Sequence, residues 1–297
     1  HASALWFARG RIRMRLFHAS MKTLSRKAAM ATALVAIAMG LPVPAGAADI
    51  TLTGANTCPC RLAQGPDGRL YVTDPVAGSI FIYDADLSPT GEIHGADQPL
   101  GIAVDAGNRI FVGSASAGHI KMFSAEGDLM GVVGEGQVVM PNDMALDLEG
   151  NLYVADSKLD RVAVFDAGLS MIRTIGAGGT ADGELSFPSS VTVAYRLAPS
   201  GQPTGEVFVA DQRSFRVQVF DMNGSFLRKM GAQTYKSGFP PKFGTNGLFN
   251  TIQSLQVDDR YCVHVADSFM NCVQILNADS GAYSNRYGDA FGMFGSS

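Results

Sequence analysis

The sequence is poor in cysteine, histidine, tryptophan and charge. Its 297 residues include four Cys, five His and one Trp, and only 17% of them are charged. Four Cys are too few for a disulfide-dense scaffold, and a hydrophobic content of 46% is too high for a disordered chain. The composition therefore excludes fibrous, disordered and multi-span membrane proteins.

Acidic residues are absent from the first 47 positions, which hold seven of the 23 Lys and Arg. From residue 48 onward, 16 Lys and Arg stand against 27 Asp and Glu, a formal net charge of −11. A body this acidic repels phosphate backbones and anionic lipid surfaces. We therefore expect no nucleic-acid partner.

Residues 21–47 have the layout of a secretory signal peptide. A short basic stretch begins at Met21, an apolar run covers 28–41, and Ala45-Gly46-Ala47 supplies the small residues of a cleavage site. An uncleaved anchor is the alternative. We interpret residues 1–20, which begin with His, as an upstream or non-native extension. Residues 48–297 are then the mature chain, exported to the periplasm or the extracellular space without a membrane span.

One short alternating pattern recurs five times after residue 57. Nine residues after the end of each copy lies a large apolar residue, and a Pro lies 15 residues before the end of three copies. In the fourth copy the Pro lies 23 residues before the end, because of an eight-residue insertion that we expect to form a long loop at Arg196–Glu206. The spacing defines five repeats at about 59–95, 99–134, 141–176, 188–231 and 252–288. The five copies are LYVTD (70–74), IFVGS (110–114), LYVAD (152–156), VFVAD (207–211) and VHVAD (263–267).

Each repeat is predicted to form a four-stranded antiparallel sheet. Apolar residues alternate with a period of two, and Gly, Asp and Asn punctuate them at hairpin positions. A sheet of roughly 40 residues cannot bury both of its faces alone, so the repeats must pack on one another. Radial packing gives an all-β propeller.

The repeats resemble the NHL repeats of six-bladed β-propellers. The resemblance rests on MALDLEGNLYVADSKLDRVAVFD in the third repeat and VFVADQRSFRVQVFD in the fourth, and it extends from about residue 59 to 288. It implies a bacterial exported NHL-repeat protein with a propeller of four-stranded blades. Because five repeats are visible, we expect a sixth blade beyond residue 297. A native ring of five blades is the alternative.

Ligands of such propellers meet the loops around the mouth of the central channel. In this chain, the starts of the first strands and one long aromatic segment after the fourth repeat supply the candidates. The expected ligand is a protein, a peptide, a glycan or a small molecule. The candidate binding residues are Arg61, Asn142, Asp143, Ser189, Gln253, Tyr235 and Phe239.

A carboxylate ends four of the five copies of the short pattern. Because Asp readily accepts hydrogen bonds from nearby loop amides, a side chain that recurs at one slot of a repeat is best explained by the turn it makes. Arg161 and Arg216, five residues further on, are possible charge partners. We therefore predict a structural role for Asp74, Asp156, Asp211 and Asp267.

No catalytic residue, metal site or cofactor is expected. The three histidines of the mature chain, His94, His119 and His264, do not converge in the pattern that zinc requires. The sequence has no C-x-x-C-H for covalent haem. In the hairpin of the fifth repeat, Cys262 and Cys272 are placed too far apart for a disulfide. The pairing of Cys58 and Cys60 stays open.

A non-catalytic binding scaffold is the function that these features favour. The alternative is a metal-dependent hydrolase, lactonase-like or lyase-like, of six-bladed form. Pro141-Asn142-Asp143 resembles the Asn-Asp segment of the gluconolactonase family, but Arg61, Leu100, Ser189 and Gln253 stand where that family has its other ligands. The Pro-His pair of the related amidating lyase is absent. Nucleic-acid binding, known for NHL domains of tripartite-motif proteins, would require a basic face.

The aromatic segment after the fourth repeat supplies the first prediction. Replacement of both Tyr235 and Phe239 by Ala should weaken partner binding and leave the melting temperature unchanged, because the two rings are expected to face the partner. Binding isotherms and thermal melts of the two proteins decide this. Equal losses of binding and of stability would show that the segment only packs against the propeller.

Overall fold

The computed structural model describes residues 58–197, 201–233, 246–270 and 272–287. These residues form five four-stranded antiparallel sheets, or blades, arranged as a β-propeller. Within every blade the strands lie side by side in chain order, and the first strands of successive blades pack beside one another at the centre. The prediction of an all-β propeller with five visible repeats is confirmed. The sixth blade stays a prediction.

The strands fall inside the five predicted repeats. Blades 1 and 2 contain β1 (Arg61–Gln64), β2 (Leu70–Asp74), β3 (Ser79–Tyr83), β4 (Pro89–Ile93), β5 (Pro99–Val104), β6 (Ile110–Ser114), β7 (His119–Phe123) and β8 (Leu129–Val133). Blade 3 contains β9 (Pro141–Leu146), β10 (Leu152–Asp156), β11 (Arg161–Phe165) and β12 (Met171–Ile175). Blade 4 and the linker contain β13 (Pro188–Leu197), β14 (Pro203–Asp211), β15 (Arg216–Asp221), β16 (Phe226–Met230), β17 (Ala232–Gln233) and β18 (Leu248–Phe249). Blade 5 contains β19 (Ile252–Val257), β20 (Cys262–Asp267), β21 (Cys272–Asn277) and β22 (Tyr283–Tyr287).

Apolar cores lie between the blades. In blade 3, Leu152 and Val154 belong to the cluster shared with blade 2, whereas Tyr153 and Ala155 belong to the cluster shared with blade 4. Successive residues of a strand point to opposite faces, so one strand feeds both cores. Similar clusters join blade 1 to blade 2 and blade 4 to blade 5.

The insertion of the fourth repeat lengthens a hairpin. The long loop expected at Arg196–Glu206 is wrong, since both of its ends belong to strands. Strands β13 and β14 are ten and nine residues long, and their register continues to the pair Leu197 and Pro203. The inserted residues therefore extend the first two strands of blade 4 beyond those of blade 3, which are six and five residues long.

The linker between blades 4 and 5 begins and ends at one place. Strand β17 pairs in parallel with β18 and holds the two ends of the linker together. Tyr235 and Phe239 lie outside the described residues, so their predicted role stays a prediction.

The carboxylate at the end of the second strand binds the chain segment that enters its blade. In blade 3, Oδ2 of Asp156 accepts a hydrogen bond from the Val139 amide at 3.0 Å, and Oδ1 accepts one from the Met140 amide at 2.9 Å. In blade 5, Asp267 accepts bonds from the amides of Asn250 at 2.6 Å and Thr251 at 3.1 Å. These carboxylates are fully buried and anchor the connections between blades.

The first and fourth blades use the same anchor. Asp74 accepts a hydrogen bond from the Cys58 amide and Asp211 accepts one from the Ser186 amide, both at 2.7 Å. Arg216 donates to Asp211 through Nε at 2.9 Å, as a charge partner would. Arg161 instead donates to the carbonyl of Gln137.

Loss of one anchor should destabilise the whole propeller. In Asp156→Asn, the NH2 group of the new side chain is a donor and faces one of the two backbone N–H donors. We therefore expect the free energy of unfolding, measured in urea, to fall by about 2–4 kcal/mol. Asp128→Asn, at an exposed carboxylate, is the matched control and should stay within about 0.5 kcal/mol of the wild type. Equal stabilities of the two variants would contradict the anchoring role.

Candidate functional site

The propeller has two faces, and different turns lie on each of them. The first strand of each blade begins on the face that we call the front face, where the turns between second and third strands also lie. The other turns within each blade lie on the opposite, back face. The predicted residues Arg61, Asn142, Asp143, Ser189 and Gln253 stand at or beside the starts of β1, β9, β13 and β19, and the structure brings them together at the centre of the front face.

A single guanidinium group joins four blades at this centre. Arg61 is only 5% exposed, and its Nη2 donates to the carbonyls of Ser189 at 2.8 Å and Gln253 at 2.7 Å. Its Nε lies 3.5 Å from Oδ1 of Asp143. The side chain of blade 1 therefore reaches across to blades 3, 4 and 5.

Asp143 is the buried counter-ion of Arg61. Its Oδ2 accepts a short hydrogen bond from Ser190 Oγ and a longer one, 3.4 Å, from the Val191 amide. Ser190 Oγ in turn accepts a bond from the Leu255 amide at 3.1 Å. Burial raises the pKa of Asp143, and although Arg61 and Ser190 oppose this, the pKa stays above its ordinary value.

A glycine lets the carboxylate reach this position. A Cβ on Gly101 would lie 2.8 Å from Cα of Asp143 and 3.0 Å from its backbone nitrogen. Any larger residue would push β5 and β9 apart, because such a contact is shorter than real Cβ atoms make. The small residue thus permits the close approach of blades 2 and 3 that buries Asp143.

The other predicted residues also bind neighbouring blades. Nδ2 of Asn142 donates to Ser157 Oγ at 2.9 Å, and that hydroxyl donates to the Pro188 carbonyl at 2.6 Å. Ser189 Oγ donates to the Ile252 carbonyl at 2.8 Å. Gln253 contributes its backbone carbonyl to Arg61. We name this set the central network: Arg61, Asn142, Asp143, Ser157, Ser189 and Ser190.

Ser157 and Ser190 belong to the central network but were not among the predicted binding residues. Ser190 stands two residues after Pro188, just as Asp143 stands two residues after Pro141. The spacing from the proline was the available signal. Arg61 likewise stands two residues after Pro59, so it occupies the same position in blade 1 as Asp143 does in blade 3.

Apolar side chains stand exposed around the rim of the front face. Val76, 70% exposed, lies in the turn between β2 and β3, and Leu159 lies in the equivalent turn of blade 3. Val139 is exposed in the segment that enters blade 3. Arg213 of blade 4 covers the ring of Phe187 at 4.7 Å from the ring centroid. We call Val76, Val139 and Leu159 the rim.

Ion pairs engage Arg196, Arg216, Arg228 and Lys229 around blade 4. Arg196 and Arg228 both bind the buried Glu206, to which Tyr261 also donates a short hydrogen bond. Desolvation by burial raises the pKa of Glu206, but the two cations and Tyr261 outweigh it and hold that pKa below its ordinary value. Lys229 pairs with Asp182 at 2.6 Å. These cations are engaged within the fold, and none of this favours a nucleic-acid surface.

The histidines and cysteines are dispersed. His264 Nε2 lies 3.0 Å from Oδ2 of Asp258 on the back face. Cys262 pairs with Asn277 and Cys272 with Asp267 across the β20–β21 hairpin, and both are free thiols, as is Cys60. Among the described residues, no three His, Cys, Asp or Glu side chains are grouped closely enough to hold a metal ion, and no helix is long and apolar enough to cross a bilayer.

Comparisons with known proteins match the fold described above. No family model matches the chain. A curated relative, Protein brain tumor of Drosophila melanogaster, is 27% identical over 99 residues, which are 33% of this chain and 9% of that protein. The chain thus spans less than a tenth of this relative.

Two solved structures illustrate the structural likeness. A nidogen/laminin complex has a TM-score of 0.60 at 18% identity, covering 77% of this chain and 80% of the other. Virginiamycin B lyase from Staphylococcus aureus has a TM-score of 0.55 at 11% identity, covering 80% and 72%. Both show the propeller fold.

Removal of the central guanidinium should make stability depend on pH. Arg61→Met leaves the Asp143 carboxylate buried without its counter-ion, so we expect a loss of about 3–5 kcal/mol at neutral pH. The pKa of Asp143, already raised, then rises further, and the folded state binds more protons than the unfolded state. The variant should therefore become more stable as the pH falls from 7 toward 5.

The double variant Arg61→Met/Asp143→Asn is the control. It contains no buried carboxylate at this place, so it should recover part of the stability at neutral pH and lose the added pH dependence. Urea denaturation of the wild type and the two variants at several pH values measures both effects. A pH dependence that persists in the double variant would contradict the assignment to Asp143.

Proposed function

We propose that this chain is an exported, non-catalytic binding scaffold of the NHL-repeat type, and that its front face receives a segment of a partner protein or peptide. The observation that carries the proposal is the contrast between centre and rim. The polar groups of the central network bind one another and the backbones of neighbouring blades. The rim presents exposed apolar side chains to whatever approaches.

The central network suits a structural role better than a catalytic one. A general base or nucleophile needs an acceptor or donor that a substrate can reach, but Oδ1 of Asp143 lies beside Arg61 while Oδ2 is bonded to Ser190 and Val191. Asn142 is likewise bonded to Ser157. The carboxylate of Asp143 and Nδ2 of Asn142 are thus engaged within the fold.

The rim suits a binding role. Burial of Val76, Val139 and Leu159 under a partner would contribute about 25 cal/mol for each Å² of apolar surface removed from water. Rigid blades hold the turns in place, so a partner that docks there orders little of the scaffold. A glycan or a small ligand has less apolar surface to offer to such a rim than a polypeptide has.

Export is part of the proposal, and so is the NHL family. The layout of residues 21–47 supports a signal peptide, and the short patterns at 152–156 and 207–211 support the family. The nidogen/laminin complex is a propeller of this shape in a complex with another protein. That likeness is one of fold, and it makes a protein partner a reasonable first candidate.

A lyase-like enzyme is the second candidate, favoured by one observation. Asp143 is a buried carboxyl group with a raised pKa at the mouth of the channel, and such groups are common at active sites. Two solved lyases share the fold, at 14% and 11% identity. Asp143 would act as the acid–base group in that case.

Peptide selection tests the binding proposal. A random peptide library displayed on phage is panned against the wild-type protein, and the recovered peptides are measured against Val76→Ser/Leu159→Ser. We expect their dissociation constants to rise at least about tenfold in this variant, because the rim supplies apolar contact. Leu148→Ser is the matched control, since Leu148 is an equally exposed apolar residue on the back face.

The opposite results have clear meanings. Peptides that lose binding in Leu148→Ser and keep it in the rim variant would move the site to the back face and overturn the proposal. Elimination activity on virginiamycin B that disappears in Asp143→Asn would establish the lyase candidate in its place.

A further inference from the structure

The outermost strand of blade 2 differs from the outermost strands of the other blades. Strands β4, β8, β12, β16 and β22 each form the free edge of a sheet. Such an edge presents unpaired backbone groups, and proteins protect it with charge or proline. Four of the edges follow this rule, with Glu92, Arg173, Lys229 and Arg286 among their residues. Strand β8 reads Leu-Met-Gly-Val-Val and has neither charge nor proline.

The apolar side chains of β8 are exposed. Leu129 is 57% exposed, Met130 is 53% exposed and Val132 is 45% exposed, whereas Val133 is buried in the core. Val132 pairs with the third residue of β7. The residues at this register position in the other blades are polar or charged: Glu92, Thr174, Lys229 and Arg286.

Acidic residues flank this edge on both sides. Glu126 and Asp128 precede β8, Glu135 follows it, and all three are exposed. The nearest cation on the neighbouring strand is Lys121, whose ammonium group binds Oδ2 of Asp97 at 2.5 Å and the carbonyl of Gly95 at 2.7 Å. A second cation, Arg69 of blade 1, donates to the Ala125 carbonyl at 3.3 Å and is paired with Asp67 at 2.5 Å. Since both cations are paired with carboxylates, the surroundings of this apolar strand are negative.

We propose that β8 binds an extended segment of a partner protein as a fifth strand of blade 2, and that this segment has an apolar centre with Lys or Arg at both ends. Main-chain hydrogen bonds to the free edge supply affinity. Met130 and Val132 contact alternate side chains of the added strand, and the flanking acids select its basic ends. This surface lies on the outer edge of blade 2 and does not depend on the front-face proposal.

A second copy of the chain fits this edge poorly. In a parallel pair, Asp128 of one copy would lie beside Asp128 of the other. In an antiparallel pair centred on Gly131, Asp128 of one copy would lie next to Glu135 of the other. Both arrangements bring like charges together, which destabilises a strand pair.

A synthetic peptide provides the test. The labelled peptide KKVTVTVKK is titrated with the wild-type chain, and its fluorescence anisotropy is followed. In Val132→Lys we expect the dissociation constant to rise at least about tenfold, because the new ammonium group repels the basic ends and must be desolvated. Thr174→Lys, at the same position of blade 3, is the matched control and should bind like the wild type.

Further readouts identify the mode of binding. The peptide should protect the amides of β8 from hydrogen exchange, and added salt should weaken the complex, since opposite charges select the peptide. Thermal melts of both variants should match the wild type, because the altered side chains are exposed.

Four outcomes would overturn the proposal. They are the absence of peptide binding to the wild type, equal binding by Val132→Lys, equal binding of the acidic peptide EEVTVTVEE, and a wild-type dimer that Val132→Lys dissociates. The last result would assign the edge to a second copy of the chain. A front-face site could hold in each case, since the peptide panning of the rim is independent of β8.

Discussion

Each blade of this propeller has two apolar faces, and neither can be left in water. Strand β10 shows the consequence most clearly: Leu152 and Val154 need blade 2 as cover, and Tyr153 and Ala155 need blade 4. Full burial of a large apolar side chain contributes about 1.5–3 kcal/mol, so blades stabilise one another and not themselves. The first strands are thereby brought together at the centre, and their starts converge on the front face.

That convergence imposes the second constraint. Buried polar groups must find partners, and a buried charge must find a counter-charge. Arg61 finds its partners in two carbonyls and one carboxylate, taken from three other blades, although its Nε makes no hydrogen bond. Because the packing of the blades fixes the positions of these partners, the network forms only when blades 1, 3, 4 and 5 are correctly assembled. A buried ion pair of this kind adds little to the free energy of unfolding, but removal of one partner lowers that free energy strongly because the other charge stays buried alone.

Local patterns made the blades predictable, whereas the centre depends on distant contacts. The alternation in LYVAD and the turn residues around it are local signals, and they located the strands of each repeat. The anchoring carboxylates were foreseeable for the same reason, since Asp favours nearby amides. The carbonyl partners of Arg61 lie 128 and 192 residues further along the chain. Only the packing of the blades around the centre brings them together, and no short pattern encodes that.

Comparison of equivalent positions in the five repeats also distinguishes residues that the fold requires from residues that it does not explain. Blade 2 has Gly113 and Ser114 where blade 3 has Ala155 and Asp156, and packing explains both changes. A Cβ on Gly113 would lie 2.2 Å from the carbonyl of Pro141, and Ser114 Oγ donates to the Asp97 carbonyl at 2.8 Å. The exposed Val132 has no such explanation.

The rest of β8 leads to the same conclusion. Its neighbour Val133 is buried in the same slot that Ile93, Ile175 and Met230 occupy, so the demands of the core end at that residue. Beyond the core, Ile172 and Leu227 are also exposed on their edges, but the slot of Val132 is polar or charged in every other blade. An edge that stays apolar and uncharged between acidic flanks, on one blade of five, is therefore better explained by a partner than by the fold.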